Sequence, residues 1–271
     1  MAKILFYITL VLYGFATLMY LFWLMRTTIA TGNIARNVLL SGFLVHVLAL
    51  LHRFVSVNHL PIANMHDSLS FFGVALVGIY LAVEHRYKIT SLGSFVTPVA
   101  FLTMLGSSTF ANELKPLDPL MQNAWIYSHT ILAFVSYALF TISGGTAAMY
   151  LIQSHLLKTK NQGHIFQKLP SLEKLDDISY RCLNIGFPML TVAIITGAMV
   201  ATKVWGSYWS WDPKQTCSLI TWLVYAVLLH GRLAVGWRGK RAALFSLAGI
   251  ILLLFSFVGV NLWFPGLHAF K

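Results

Sequence analysis

The 271 residues are 58% hydrophobic and 10% charged, with a mean hydropathy of +0.73. A soluble domain carries about a quarter charged residues, so this composition excludes one and puts the chain in a bilayer. The net charge of +11 would suit nucleic acid, but its placement along the chain reads as membrane topology.

A spanning helix needs roughly 20 mostly apolar residues, and the chain has about eight such runs. They lie near 4–25, 37–57, 68–84, 90–107, 126–153, 184–204, 217–236 and 243–264. The expected fold class is therefore all-α, a polytopic membrane protein forming one domain over 1–271. The first run is too long for a cleavable leader and no small-residue cleavage site follows it, so it reads as a span. Most of the 19 Lys and Arg fall in the odd-numbered loops. The positive-inside rule then makes those loops cytoplasmic, including 154–183, and puts both termini on the outer (periplasmic or lumenal) side.

In chain order, Thr31-Gly-Asn33 reads as a short cytoplasmic turn. Span two carries His46, His52 and Arg53, and ionisable groups in a span face the bundle interior. His46 lies about 14 Å from the inner end, and His52 is about 240° further round the helix. The two cannot serve one site. His59 and His66 read as solvated residues of a turn shaped by Pro61 and Asn64. Trp125 and His129 mark the outer mouth of span five, which also holds Gly144-Gly145, suited to close helix packing. Pro170-Ser-Leu-Glu173 reads as a helix start capped by Ser171, with Leu172, Leu175 and Ile178 on one side of an interfacial helix. Span seven carries His230. Cys182 and Cys217 fall at opposite faces, which excludes a disulfide between them.

The densest feature is Trp205-Gly-Ser-Tyr-Trp-Ser-Trp-Asp-Pro-Lys-Gln-Thr216, with Trp222 just beyond. Indoles gather at membrane interfaces in any case, but this cluster is denser than a belt requires. If the segment is extended, held so by Gly206 and Pro213, Trp209 and Trp211 point the same way. They would then offer a flat face to a planar ligand, with Lys214 placed to meet a carboxylate at its edge. His129 and His268 fall at the same outer face. Two imidazoles from opposite sides suit heme iron, whereas zinc takes three or four N or S ligands.

The run Trp205-Gly-x-x-Trp-x-Trp-Asp-Pro-Lys-x-Thr216, then Leu219-Ile-Thr-Trp-Leu-Val-Tyr225 and Leu229-His-Gly-Arg232, resembles the tryptophan-rich (WWD) domain of the heme-handling cytochrome c assembly proteins. Within these it is most similar to the CcsA (ResC) type, the membrane subunit of the system II cytochrome c synthase. Asn58-His-Leu-Pro61, Asp67-Ser-Leu-Ser-Phe-Phe72, Trp125-x-x-x-His129 and Gly259-Val-Asn through His268 extend the likeness over nearly the whole chain. Cys217 stands where the family usually has an aromatic residue, His66-Asp67 replaces the usual Tyr-Glu, and Thr202-Lys-Val204 precedes the motif where a small or acidic residue is commoner.

The resemblance implies heme b (iron protoporphyrin IX) carried across the membrane and presented outside, for thioether attachment to the Cys-x-x-Cys-His motif of apocytochrome c. It implies a CcsB-type membrane partner, and thiol-reducing proteins nearby. No catalytic side chain is implied. The chain would be the heme-handling part of a synthase, inactive without its partner. His129 and His268 would ligate iron outside, over Trp205, Trp209, Trp211, Asp212 and Trp222. His230 would be one of a histidine pair that holds heme in transit, with His46 a candidate for the other. The implied location is the bacterial inner membrane, or a plastid thylakoid, with the active face outward. Two other readings stand beside this one: a six-span system I heme exporter, and an electron-transferring b-type cytochrome.

Overall fold

A computed structural model describes residues 1–26, 29–111, 113 and 122–264. Backbone amides have no water to bond in hydrocarbon, so apolar runs of this length close their hydrogen bonds internally as helices. The described residues are accordingly helical. They include α1 (Ala2–Met25), α2 (Ile29–Val57), α3 (Met65–Tyr87), α4 (Gly93–Ser108), α5 (Ala124–Lys158), α6 (His164–Lys168), α7 (Leu172–Trp205), α8 (Pro213–Ala234), α9 (Lys240–Leu254) and α10 (Val260–Trp263). A 3₁₀ turn, Thr90–Leu92, leads into α4, and a π-helical turn, Phe255–Gly259, joins α9 to α10. Among the described residues eight stretches are long and apolar enough to cross a membrane, as the sequence implies, and the protein is an integral membrane protein.

The chain forms two compact units: residues 1–116 with 152–171, and residues 117–151 with 172–271. In the first, α1 packs on α2 and α4, and α3 on α4. Glycine makes the α1–α2 approach possible. A Cβ at Gly32 would lie 2.8 Å from Nε1 of Trp23, and one at Gly42 would lie 2.9 Å from the Tyr13 ring. This corrects the reading of Thr31-Gly-Asn33. Those residues belong to α2, and Gly32 is a contact residue between helices.

Several buried polar groups in this unit are paired. Tyr20 donates to Glu84 at 3.1 Å, and Arg53 pairs with Asp67 at 2.7 Å. His59 and His66 are each 2% exposed, which overturns the solvated-loop expectation. Asn64 caps α3 by accepting from Asp67 N at 2.8 Å, so His66 falls in the first turn. There its Nδ1–H donates to the Ser107 carbonyl at 2.9 Å, and its ring lies 4.6 Å from that of Phe6.

In the second unit α5 and α7 run antiparallel. Ser143 meets Ser179, Ser136 donates to the Gly186 carbonyl, and the Phe140 ring seats against Gly186. Gly144 takes Ile250 of α9, where a Cβ would lie 3.1 Å from the isoleucine methyl, as the small-residue patch suggested. Phe140 stacks on Tyr225 of α8 with centroids 3.7 Å apart. α7 has 34 residues, about 50 Å against a hydrocarbon core of about 30 Å. Leu175 and Ile178 are fully buried in it, so the expected interfacial helix is the first part of the span. The other end of the unit is closed by Asp176. Its carboxylate accepts from Arg232 at 2.9 and 3.2 Å and from Gly239 N at 3.2 Å. This ties α7 to α8 and to the turn before α9.

Candidate functional site

The tryptophan stretch begins at the last residue of α7 and ends at the cap of α8. Asp212 is the N-cap, its carboxylate accepting from Lys214 N at 2.9 Å, and Pro213 is the first helical residue. Proline suits that position because its missing N–H would have no partner there. The residues before it fold back on the helix start. Ser210 donates from N and Oγ to Gln215 Oε1 at 2.9 and 3.2 Å, and Ser207 Oγ donates to the Trp209 carbonyl at 2.9 Å.

This folding corrects the expected extended platform. Trp211 has φ +56, a left-handed conformation that costs a non-glycine residue roughly 1–2 kcal/mol. Its ring stands at 88° to that of Trp209, with centroids 5.8 Å apart. The pair offers an edge and a face. Trp211 is 70% exposed, while Trp209 Nε1–H is buried and meets no acceptor among the described residues. Trp205 closes α7. Trp222 lies one helical stretch further on, where it stacks on Phe187 (5.3 Å) and donates to Thr191 Oγ1 at 2.9 Å.

His129 sits in the second turn of α5, half-buried against α7 near the stretch. Its Nδ1 lies 2.7 Å from the Ala193 carbonyl. A carbonyl only accepts, so Nδ1 carries the proton and Nε2 keeps its lone pair. Among the described residues no hydrogen bond reaches Nε2. Lys214 lies within electrostatic reach of the ring. His268 lies outside the described residues. Trp263, the last residue of α10, is 70% exposed.

His230 lies one turn before the end of α8, towards the opposite end of this unit, and is exposed. It shares a stripe with Ile220, Leu223 and Val227, each 44–49% exposed. It makes no hydrogen bond among the described residues. His46, in the first unit, is fully buried. Tyr13 Oη meets its Nδ1 at 3.1 Å and Ser70 Oγ its Nε2 at 2.9 Å. Both nitrogens are engaged, so His46 binds iron only by giving up one of these bonds.

The donor set suits heme better than a bare ion. No group of three or more His, Cys, Asp or Glu placed for a metal occurs among the described residues, and both cysteines are free. Heme asks for one or two imidazoles, apolar aromatic surface and donors for its carboxylates. His129 Nε2, the Trp209–Trp211 pair and the orphaned Trp209 N–H match that list.

The family model described as "Cytochrome C assembly protein" matches residues 34–268. The chain belongs to the cytochrome c assembly protein family. The matched segment takes in His46, His129, the tryptophan stretch and His230, and ends on His268. Among relatives named "Cytochrome c biogenesis protein CcsA", that of Mesostigma viride is 32% identical over 97% of this chain and 92% of its own length. That of Chlamydomonas reinhardtii is 36% identical over 83% and 64%, and that of Prochlorococcus marinus 31% over 89% and 85%. A solved structure titled "Cytochrome c Heme Lyase CcmF" superposes with a TM-score of 0.66 at 18% identity. It covers 95% of this chain and 46% of its own, and at that identity it establishes a shared fold.

Two features of this cytochrome c assembly protein escape inspection of its sequence. Asp212-Pro213 before an apolar run is a cap-and-proline signal, visible in retrospect. The Ala193 carbonyl and Gly197 beside His129 carry no local signal, because they reach the ring only across two helices.

Proposed function

We propose that this protein handles heme in cytochrome c biogenesis as a CcsA-type subunit, with its 271 residues acting as one heme-handling body. The reading rests on one observation above all: His129 is held as the Nδ1–H tautomer with Nε2 open, in the same unit as the tryptophan stretch and within electrostatic reach of its Lys214. His129 and His268 ligate the iron of protoporphyrin IX. Trp209 and Trp211, with Trp205, Asp212 and Trp222 behind them, shape the aromatic surface beneath it. A buried, unpaired indole N–H and a strained, exposed Trp211 are the kind of local cost retained for a ligand.

The end bearing this stretch faces outward, consistent with the Lys and Arg bias toward the other loops. His230 takes heme in transit from its exposed stripe. Its opposing ligand comes from a CcsB-type partner chain, because the nitrogens of His46 are already bonded. Heme is cargo here. Each apocytochrome thiol adds across a vinyl group, sulfur to one carbon and hydrogen to the other, which forms a thioether with no net oxidation. The protein's share is to bind and orient. Eight spans favour this reading over a six-span exporter.

The test is co-expression with a CcsB-type partner and a Cys-x-x-Cys-His reporter, scored as heme that stays on the reporter after denaturation. His129→Ala and His268→Ala are each expected to abolish that signal. Normal maturation by both variants refutes the assignment.

A further inference from the structure

We propose that Gly197 is a positioning residue for the His129 imidazole, and that it fixes which ring nitrogen is offered to iron. The inference rests on the reading of His129 as an iron ligand and adds the reason the ring is ready to be one. Ala193 and Gly197 are one helical turn apart on the same face of α7. The Nδ1–Cε1 edge of the imidazole packs against that turn. Its Nδ1–H donates to the Ala193 carbonyl at 2.7 Å, and a Cβ at position 197 would fall 2.8 Å from both Nδ1 and Cε1. Real Cβ atoms do not approach that closely, so only glycine lets the ring reach the carbonyl.

The carbonyl is itself held in place. Thr196 Oγ1 donates to it at 3.0 Å and to the Val192 carbonyl at 2.8 Å. The acceptor therefore belongs to a regular, braced helical turn. Locking Nδ1 as the donor leaves Nε2 unprotonated and makes it more electron-rich. This is the usual way an outer partner sets the tautomer and basicity of a metal-bound histidine. A methyl group at 197 pushes the ring off the carbonyl, releases the tautomer and turns Nε2 away. Glycine inside a spanning helix is otherwise a cost in backbone freedom, and at this position the ring contact is its compensation.

The experiment uses the full chain co-purified with a CcsB-type partner. It reads heme content and the ferrous absorption bands in His129→Ala, Gly197→Ala and the double variant, each with and without added imidazole. Gly197→Ala is expected to lower heme retention about 10–100-fold, the usual effect of losing an outer-shell partner. The double variant is expected to match His129→Ala alone, and imidazole to restore both equally. Heme retention by Gly197→Ala equal to wild type overturns the inference. So does a double variant that falls below His129→Ala or ignores imidazole, because glycine would then be serving the fold.

If His129→Ala itself keeps its heme and its bands, the ligand assignment fails, and that result is distinct from either of these. Should Gly197→Ala not accumulate, the heme-free wild-type complex labelled with ¹⁵N-histidine decides the question. The signals missing in His129→Ala must show the Nδ1–H tautomer, and the Nε2–H tautomer refutes the proposal.

Discussion

Asp176 and Asp177 are neighbours in one helix, and both pair with arginine, yet their replacement should have very different consequences. Asp176 pairs with Arg232 across α7 and α8, with side-chain exposures of 17% and 5%. It accepts two bonds from the guanidinium and one from Gly239 N, and the Tyr180 ring covers the guanidinium at 5.3 Å. Asp177 pairs with Arg181 four residues on, with exposures of 46% and 59%.

Asp176→Asn keeps the shape and removes the charge, which leaves Arg232 buried without a counter-charge. Breaking such a pair costs about 3–5 kcal/mol, and the partial exposure of Asp176 favours the lower figure. At roughly 2–4 °C per kcal/mol, the unfolding midpoint should fall by about 6–12 °C. Asp177→Asn loses a solvated helix pair worth about 0.3–0.5 kcal/mol, so its midpoint should move by about 1–2 °C. Thermal unfolding of the detergent-solubilised protein, followed by circular dichroism, reads both. Equal midpoints for the two variants would refute the clamp.

Two further outcomes separate packing residues from ligand-facing ones. His46→Ala leaves Tyr13 Oη and Ser70 Oγ without their partner in a buried site, a loss of about 1–3 kcal/mol for each group. The midpoint should fall while heme per folded molecule stays constant; unchanged stability with lost heme would return His46 to the ligand set. Trp211→Gly removes an exposed ring and relieves its left-handed backbone, so stability should hold while holocytochrome yield drops. Trp222→Phe, which loses the bond to Thr191 and part of the ring stacked on Phe187 but keeps an aromatic side chain, should cost about 1–3 kcal/mol and lower yield less than Trp211→Gly does. Wild-type maturation by Trp211→Gly would remove that ring from the site.

Much of this molecule is legible in its sequence because a bilayer leaves few choices. Long apolar runs must be helices, so the span count and fold class follow from composition alone. The tryptophan stretch and its flanking histidines stand out because such residues are rare in those settings. What escaped is whatever depends on which side chain meets which. Thr31–Asn33 has the composition of a turn, but the Trp23 indole and the helix ladder make it part of α2. His59 and His66 look solvated, yet both are buried, His66 by the cap at Asn64 and the Ser107 carbonyl. The Trp209–Trp211 pair was expected to be flat, and the hydrogen bonds from Ser210 to Gln215 fold it into a corner instead. From the sequence came the expectation that His129 belongs to the candidate site. Only the packing of α5 on α7 decided which of its nitrogens is free, because that depends on one carbonyl and one missing methyl group on a helix more than sixty residues away.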